Sequence, residues 1–292
     1  MDRRLMLLRA QPFSAGAARG LVTADVLRGP SYRSLMHGAY QPVEDSLGHG
    51  RLVQAFRATH RPGHVLLGRS AAWAHGVLLA GDDDPVVVAV STRHALARTR
   101  TVVPYLATLD AGDVVMTSLG PSTSLPRTAV DLARGVGDTR STLDQRVSWL
   151  DALLRGTSLT AEEARAGAAG MARKHGMPTA RQVLALCREG VDSPQETALR
   201  LLVVRASLPE PVIQCPVPLA GRVVARLDLG WPDARVGCEY DGAVHHGPEQ
   251  VRRDLRRHNL LREAGWVVLQ VDRHQMRRPD EVVRQLRHLL RV

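Results

Sequence analysis

The last hundred residues constrain the fold most, because their punctuation leaves little choice in the order of elements. SPQETALRLLVVRASL opens a helix: Ser193 is an N-cap, Pro194 sits in the first turn, and Glu196 stands three residues after the cap. Three short apolar or β-branched runs follow, PVIQCPV, RVVARLDLG and ARVGCEYDG, separated by Pro and Gly, and they predict three strands. PEQVRRDLRRHNLLREAG has the length of a helix and ends at Gly265. WVVLQV predicts a buried strand, and PDEVVRQLRHLL a final helix with Val283, Leu286 and Leu290 on one face. The order over residues 193–292 is α-β-β-β-α-β-α.

Acidic side chains concentrate inside this apolar framework. Residues two apart on a strand share a face, so Glu239 and Asp241 point one way and Cys238 and Tyr240 the other. A turn in WPDA centred near Asp233 and Ala234 sets Asp228 opposite Glu239 in a hairpin. Opposed side chains have Cβ atoms about 5 Å apart. Two carboxylates that close repel, and burying either alone is costly. A divalent cation resolves both problems, and hard oxygen ligands suit Mg²⁺ or Mn²⁺ rather than zinc. Such a cation activates a water and stabilises charge on a phosphoryl oxygen.

Charge points to an anionic partner. The formal net charge is +10, and all but one of the 39 basic residues are arginine, Lys174 being the exception. A GC-rich coding bias supplies arginine freely, so total charge alone does not decide the matter. Its distribution says more. Residues 193–250 hold five arginines against seven acids, a balance of −2, and residues 251–292 hold eleven against five, a balance of +6. An acidic pocket beside an arginine-rich surface suits a metal-dependent nuclease, with DNA as partner. Arg252, Arg253, Arg256 and Arg257 fall on the first turns of the helix after the pocket.

The remaining composition excludes several classes. The three cysteines have no CxxC spacing, which indicates neither a disulfide framework nor a zinc knuckle. No apolar run reaches the roughly 18 residues of a membrane span. The opening apolar stretch is broken by Arg9 and reads as a helix of a cytoplasmic protein.

The expected fold class is α+β, with four regions. Residues 1–42 read as winged-helix-like: a helix–turn–helix within Gly16 to Arg28, a break at Gly29-Pro30, and LRGPSYRSLMHGAYQP as a wing. Tyr32, Leu35, Ala39 and Tyr40 would pack its small sheet, and Arg28 and Arg33, with His37 nearby, would contact DNA. Residues 43–135 form a mixed α/β region: GRSAAWAHGV a compact helix, PVVVAVS a buried strand, and TSLPRTAVDLAR a loop followed by a helix. There His75 reads as a packed histidine rather than a ligand, and Asp131 as a helix cap rather than a catalytic acid. Residues 136–192 read as a helical linker broken at Gly156, Gly170 and Pro178.

SPQET, RLDLGWP, EYDGAVHH and QVRRDLRRHNLLREAGWVVLQV together resemble the PD-(D/E)XK nuclease fold. The closer resemblance is to the branch related to very-short-patch-repair (Vsr) endonucleases, known as domain of unknown function 559. It covers about the last hundred residues and implies a restriction-endonuclease-like αβββαβ(α) domain that cuts DNA, in defence or repair. It also implies residue roles. Asp228 would be the central metal ligand, Glu239 the second acid, and the Tyr240 carbonyl a further ligand. Glu196 would support the metal or a water, and His245 or His246 would act as general acid/base or orient a phosphate. Asp254 and Arg257 would line the site. The usual motif carries a lysine two residues after the acid; here Asp241 stands there, and residues 193–292 contain no lysine. Either a histidine takes part of that role, since it titrates near neutrality, or the domain binds without cutting. The segments RGPSYRSLMHGAYQP, GRSAAWAHGV and PRTAVDLAR are similar to AbiEi-type antitoxins and transcriptional regulators. That resemblance implies a DNA reader joined to the nuclease-like domain, or a protein that binds a cognate toxin or antitoxin.

Overall fold

A computed structural model describes residues 11–60, 63–92, 95–171, 174–242 and 248–292. The protein is α+β and divides into two compact units, Met1–Ala185 and Leu186–Val292. Among the described residues no helix is long and apolar enough to cross a membrane.

The first unit begins with a small antiparallel sheet of β1 (Phe13–Ser14), β2 (Tyr32–Met36) and β3 (Ala39–Pro42), in the order β1-β3-β2. Gly38, at φ +75°, closes the β2–β3 hairpin expected as a wing. Tyr32 and Tyr40 pack with Phe13, Ala18 and Leu27, whereas Leu35 and Ala39 join the larger core behind. Between Gly16 and Arg28 there is one short helix, α1 (Ala24–Arg28), rather than two. Gly20 takes φ +81° and holds the chain in a turn, and Thr23 caps the helix only afterwards. Arg28 is tied to Asp25 at 3.0 Å and to the Ala24 carbonyl, and Arg33 donates to the Val43 carbonyl at 3.3 Å.

The body of this unit packs α2 (His49–Thr59) and α3 (Gly68–Ala74) against the parallel pair β4 (Val86–Val90) and β5 (Val102–Leu106). Phe56, Leu66, Ala71, Val86, Val88 and Val102 form its core. Close packing depends on small residues: a side chain at Gly50 of α2 would collide with the Trp73 ring of α3, and one at Gly68 of α3 with the Val136 carbonyl. A second hairpin, β6 (Val114–Thr117) and β7 (Gly120–Thr123), leads into α4 (Leu125–Arg134). α5 (Leu143–Gly156) and α6 (Ala161–Gly167) pack on α4, and α7 (Met177–Leu186) follows. Most of the segment expected to link the two ends is therefore part of the first unit.

Three polar groups set inside this unit, Asp131, His75 and His49, have defined partners. Asp131, 1% exposed, lies inside α4 and is not a cap; Arg127 and Arg134 both bind it, and Arg127 also reaches Asp113 at 2.6 Å. Burial pushes the Asp131 carboxyl up, and the two guanidiniums oppose that shift. The His75 ring meets the Thr123 carbonyl at 2.7 Å, as suits a packed histidine. His49 bridges the Ser70 hydroxyl at 2.9 Å and the Asp84 carbonyl at 3.0 Å, and burial pushes its pKa down.

The second unit is a four-stranded sheet between helices. Its elements are α8 (Pro194–Arg205), β8 (Val212–Leu219), β9 (Arg222–Trp231), β10 (Val236–Tyr240), α9 (Pro248–Glu263), β11 (Val267–Val271) and α10 (Pro279–Leu290). Strand order is β11-β10-β9-β8, antiparallel except for the β10–β11 pair, which is parallel with α9 as the crossover. One face packs Leu229, Trp231, Val236, Cys238 and Val271 against Leu199 and Val203 of α8 and Val282 and Leu286 of α10. The other packs Cys215, Val217, Ala225 and Leu227 against Leu261 of α9 and Trp266. Gly237 has no side chain because Leu227 and Val268 occupy the space a Cβ would need.

Candidate functional site

The second unit opens an acidic cleft of about 460 Å³ on the face that carries α9. Asp228, Glu239, Tyr240, Asp241, Asp254, Leu255 and Arg257 line it. The hairpin explains why the acids meet. Trp231 pairs with Val236 and Leu229 with Cys238; the same register carried one step further sets Asp228 opposite Glu239, and both line the cleft. The short 3₁₀ turn Pro232–Ala234 sets that register. The Tyr240 amide donates to Asp228 Oδ2 at 2.8 Å.

Glu196 approaches from the start of α8. Its oxygens accept from the Ser193 hydroxyl and the Asp192 amide, both at 2.9 Å, which completes the N-terminal cap. Gln214 of β8 also donates to it at 3.1 Å. Gln214 sits between the paired positions Ile213↔Leu229 and Cys215↔Leu227, across from Asp228, with φ +47°. A left-handed residue inside a strand is strained, and such strain gathers at functional sites. The one signal of Gln214 in the sequence is a lone amide in the apolar run PVIQCPV.

Electrostatics single out Asp228. Burial, with Glu196 and Glu239 nearby, pushes its carboxyl up to about 6, against the lowering by the Tyr240 amide and Arg257. Burial also pushes the Cys238 thiol up, and the same two acids, Asp228 and Glu239, add to that, so it stays protonated at neutral pH.

Arg257 takes a different place from its neighbours. Arg252, Arg253 and Arg256 are exposed on α9. Arg257 turns into the cleft and binds both oxygens of Glu239, Nη1 at 2.9 Å from Oε2 and Nη2 with Oε1. Nη2 also donates to the Arg226 carbonyl at 3.0 Å. Asp241 and Asp254 are exposed at the mouth, and the Asp241 amide pairs with the Val271 carbonyl at 2.9 Å. His245 and His246 lie outside the described residues.

The donor chemistry fits a hard dication: the carboxylates of Asp228 and Glu239 and the backbone of Tyr240 offer oxygen alone. As the side chains stand, no three His, Cys, Asp or Glu residues among those described form a group able to hold a metal. Both carboxylate oxygens of Glu239 are engaged by Arg257.

No protein-family model matches the chain, and no solved structure matches it. Two uncharacterized proteins of Mycobacterium tuberculosis, one from strain CDC 1551 / Oshkosh and one from strain ATCC 25618 / H37Rv, are similar to it. Each is 29% identical over 261 residues, covering 88% of this chain and 92% of its own length. The likeness therefore extends over both units, and the descriptions of those proteins name no activity.

Proposed function

We propose that the second unit is a metal-dependent DNA endonuclease that hydrolyses phosphodiester bonds. The observation that carries this reading is Asp228: a half-buried carboxyl with an upward-shifted pKa, set among other carboxylates in an open cleft beside an arginine-rich helix. Among the described residues Asp228 accepts one backbone hydrogen bond, from the Tyr240 amide, and a cation would relieve the remaining repulsion. Asp228, Glu239 and the Tyr240 carbonyl would hold Mg²⁺ or Mn²⁺, which would lower the pKa of a bound water and offset charge on the phosphoryl oxygens. Glu196, fixed by Ser193 and Gln214, orients a water toward Asp228. Exposed Arg252, Arg253 and Arg256 take backbone phosphates, and exposed Leu255 lies where a sugar or base would rest. The thiols of Cys187, Cys215 and Cys238 are buried and outside any disulfide, which suits a cytoplasmic protein.

Purified wild type and Asp228→Ala are incubated with plasmid and single-stranded DNA, with Mg²⁺, Mn²⁺ or chelator. Cutting that needs metal and disappears in the variant is expected. A second reading, a DNA-binding regulator with a non-cleaving nuclease fold, is favoured by the engaged Glu239 and by Asp241 at the usual lysine position. Wild type that retains DNA on a gel in a salt-sensitive way but never cuts it would establish that reading instead.

A further inference from the structure

Arg257 and Glu239 cancel each other as binding groups. While the guanidinium holds both carboxylate oxygens, Glu239 cannot accept a cation and Arg257 cannot accept a phosphate. Yet both line the open cleft, and Arg257 is one-third exposed, so the pair lies within reach of solutes. The other arginines on the first turns of α9 face solvent. Arg257 is also braced from a second side by the Arg226 carbonyl, on the strand that carries Asp228.

We propose that Arg257 is a placeholder for the divalent cation. It holds Glu239 in position opposite Asp228 until a cation arrives, and its displaced guanidinium then takes an oxygen of the substrate's phosphodiester. This role rests on the nuclease reading of the cleft and adds to it a coupling between metal and phosphate. The exchange keeps each group satisfied. Glu239 trades a guanidinium for a dication, and Arg257 trades one forked oxygen acceptor for another, which its planar geometry matches equally well. Cation and phosphate then promote each other's binding, because each removes the partner that blocks the other.

Arg257 acts on the metal through Glu239, so it is a positioning residue, and metal affinity is its most direct readout. Free Mn²⁺ is titrated by electron paramagnetic resonance against full-length wild type, Arg257→Gln, Arg257→Lys and Asp228→Ala, without DNA. Arg257→Gln is expected to bind Mn²⁺ about tenfold more tightly than wild type, within the usual range of coupling between sites. Arg257→Lys should fall between them, since it keeps the charge and loses the fork. Damage to the fold would weaken binding, so tightening separates release of Glu239 from structural loss. Dimethyl phosphate, a singly charged diester, should raise the Mn²⁺ affinity of wild type and leave that of Arg257→Gln unchanged.

Mn²⁺ binding by wild type that Asp228→Ala abolishes, but that is unchanged or weakened in both Arg257 variants, would overturn the placeholder role and leave the metal reading standing. Tighter binding in the variants without any effect of dimethyl phosphate on wild type would overturn the exchange with phosphate. Absence of Mn²⁺ binding in all four proteins would overturn the metal reading and this inference together.

Discussion

Each unit takes a carboxylate out of water, and the two are treated in opposite ways. In the first, Asp131 lies between Arg127 and Arg134, and Arg127 extends the network to Asp113. Two cations answer two anions. In the second, Asp228 shares its surroundings with Glu196 and Glu239, and Arg257 is already engaged with Glu239. A balanced cluster holds helices and loops in place and asks for nothing further. An unbalanced one has an unmet need that a ligand can fill.

Removing the acid should therefore have opposite consequences in the two places. Asp131→Ala leaves the buried Arg134 without its carboxylate and Arg127 with Asp113 alone, and should cost about 3–5 kcal/mol. The midpoint of urea unfolding measures it, and a loss below about 1 kcal/mol would show that solvent or another acid fills the gap. Asp228→Asn should stabilise instead. The folded carboxyl titrates at about 6, against an ordinary value of 3.8. The folded state thus holds the proton more tightly, and stability declines as pH rises through that window. Asn keeps the acceptor for the Tyr240 amide and removes the charge. With solvent screening allowed for, the gain should be about 1–2 kcal/mol at alkaline pH and vanish below the ordinary Asp range. Thermal unfolding in chelator at both extremes decides it, and an equal gain at both would assign the effect to packing.

The smallest expected effect probes the satisfied side of the comparison. Burial holds the His49 pKa below 6.5, so on acidification the unfolded chain takes up the proton first. Stability should fall by on the order of 1 kcal/mol as pH drops below about 6.5. In His49→Gln that slope should flatten, as read from denaturation curves across the window; an unaltered slope would move the effect to other groups such as His60, which burial shifts the same way.

The sequence carries local rules well and tertiary choices poorly. The Ser193 cap, the helix end at Gly265 and the hairpin about Asp233 and Ala234 each depend on residues within a few positions, and all are present. The meeting of Asp228 with Glu239 follows from that hairpin alone. Which arginine of VRRDLRRHNLL turns inward depends on the rotation of α9 over the sheet, set by Leu261 and Trp266 against β8 and β9. Nothing in a run of arginines marks position 257. Gln214 was hidden for a related reason, since a single residue's φ leaves no periodic trace. In the first unit, Gly20 and Thr23 make a turn and a single late helix where the pattern predicts a helical pair.

Gln214 has a consequence for how this protein tolerates sequence change. Strand positions ordinarily favour valine, isoleucine and threonine. At position 214 the backbone is left-handed, where any Cβ crowds the neighbouring carbonyl at a cost of about 1–2 kcal/mol, a β-branched side chain fits worst, and glycine or asparagine sits most easily. The usual ranking of substitutions is inverted at that one residue, so drift toward a better strand former would straighten β8 and draw the amide away from Glu196.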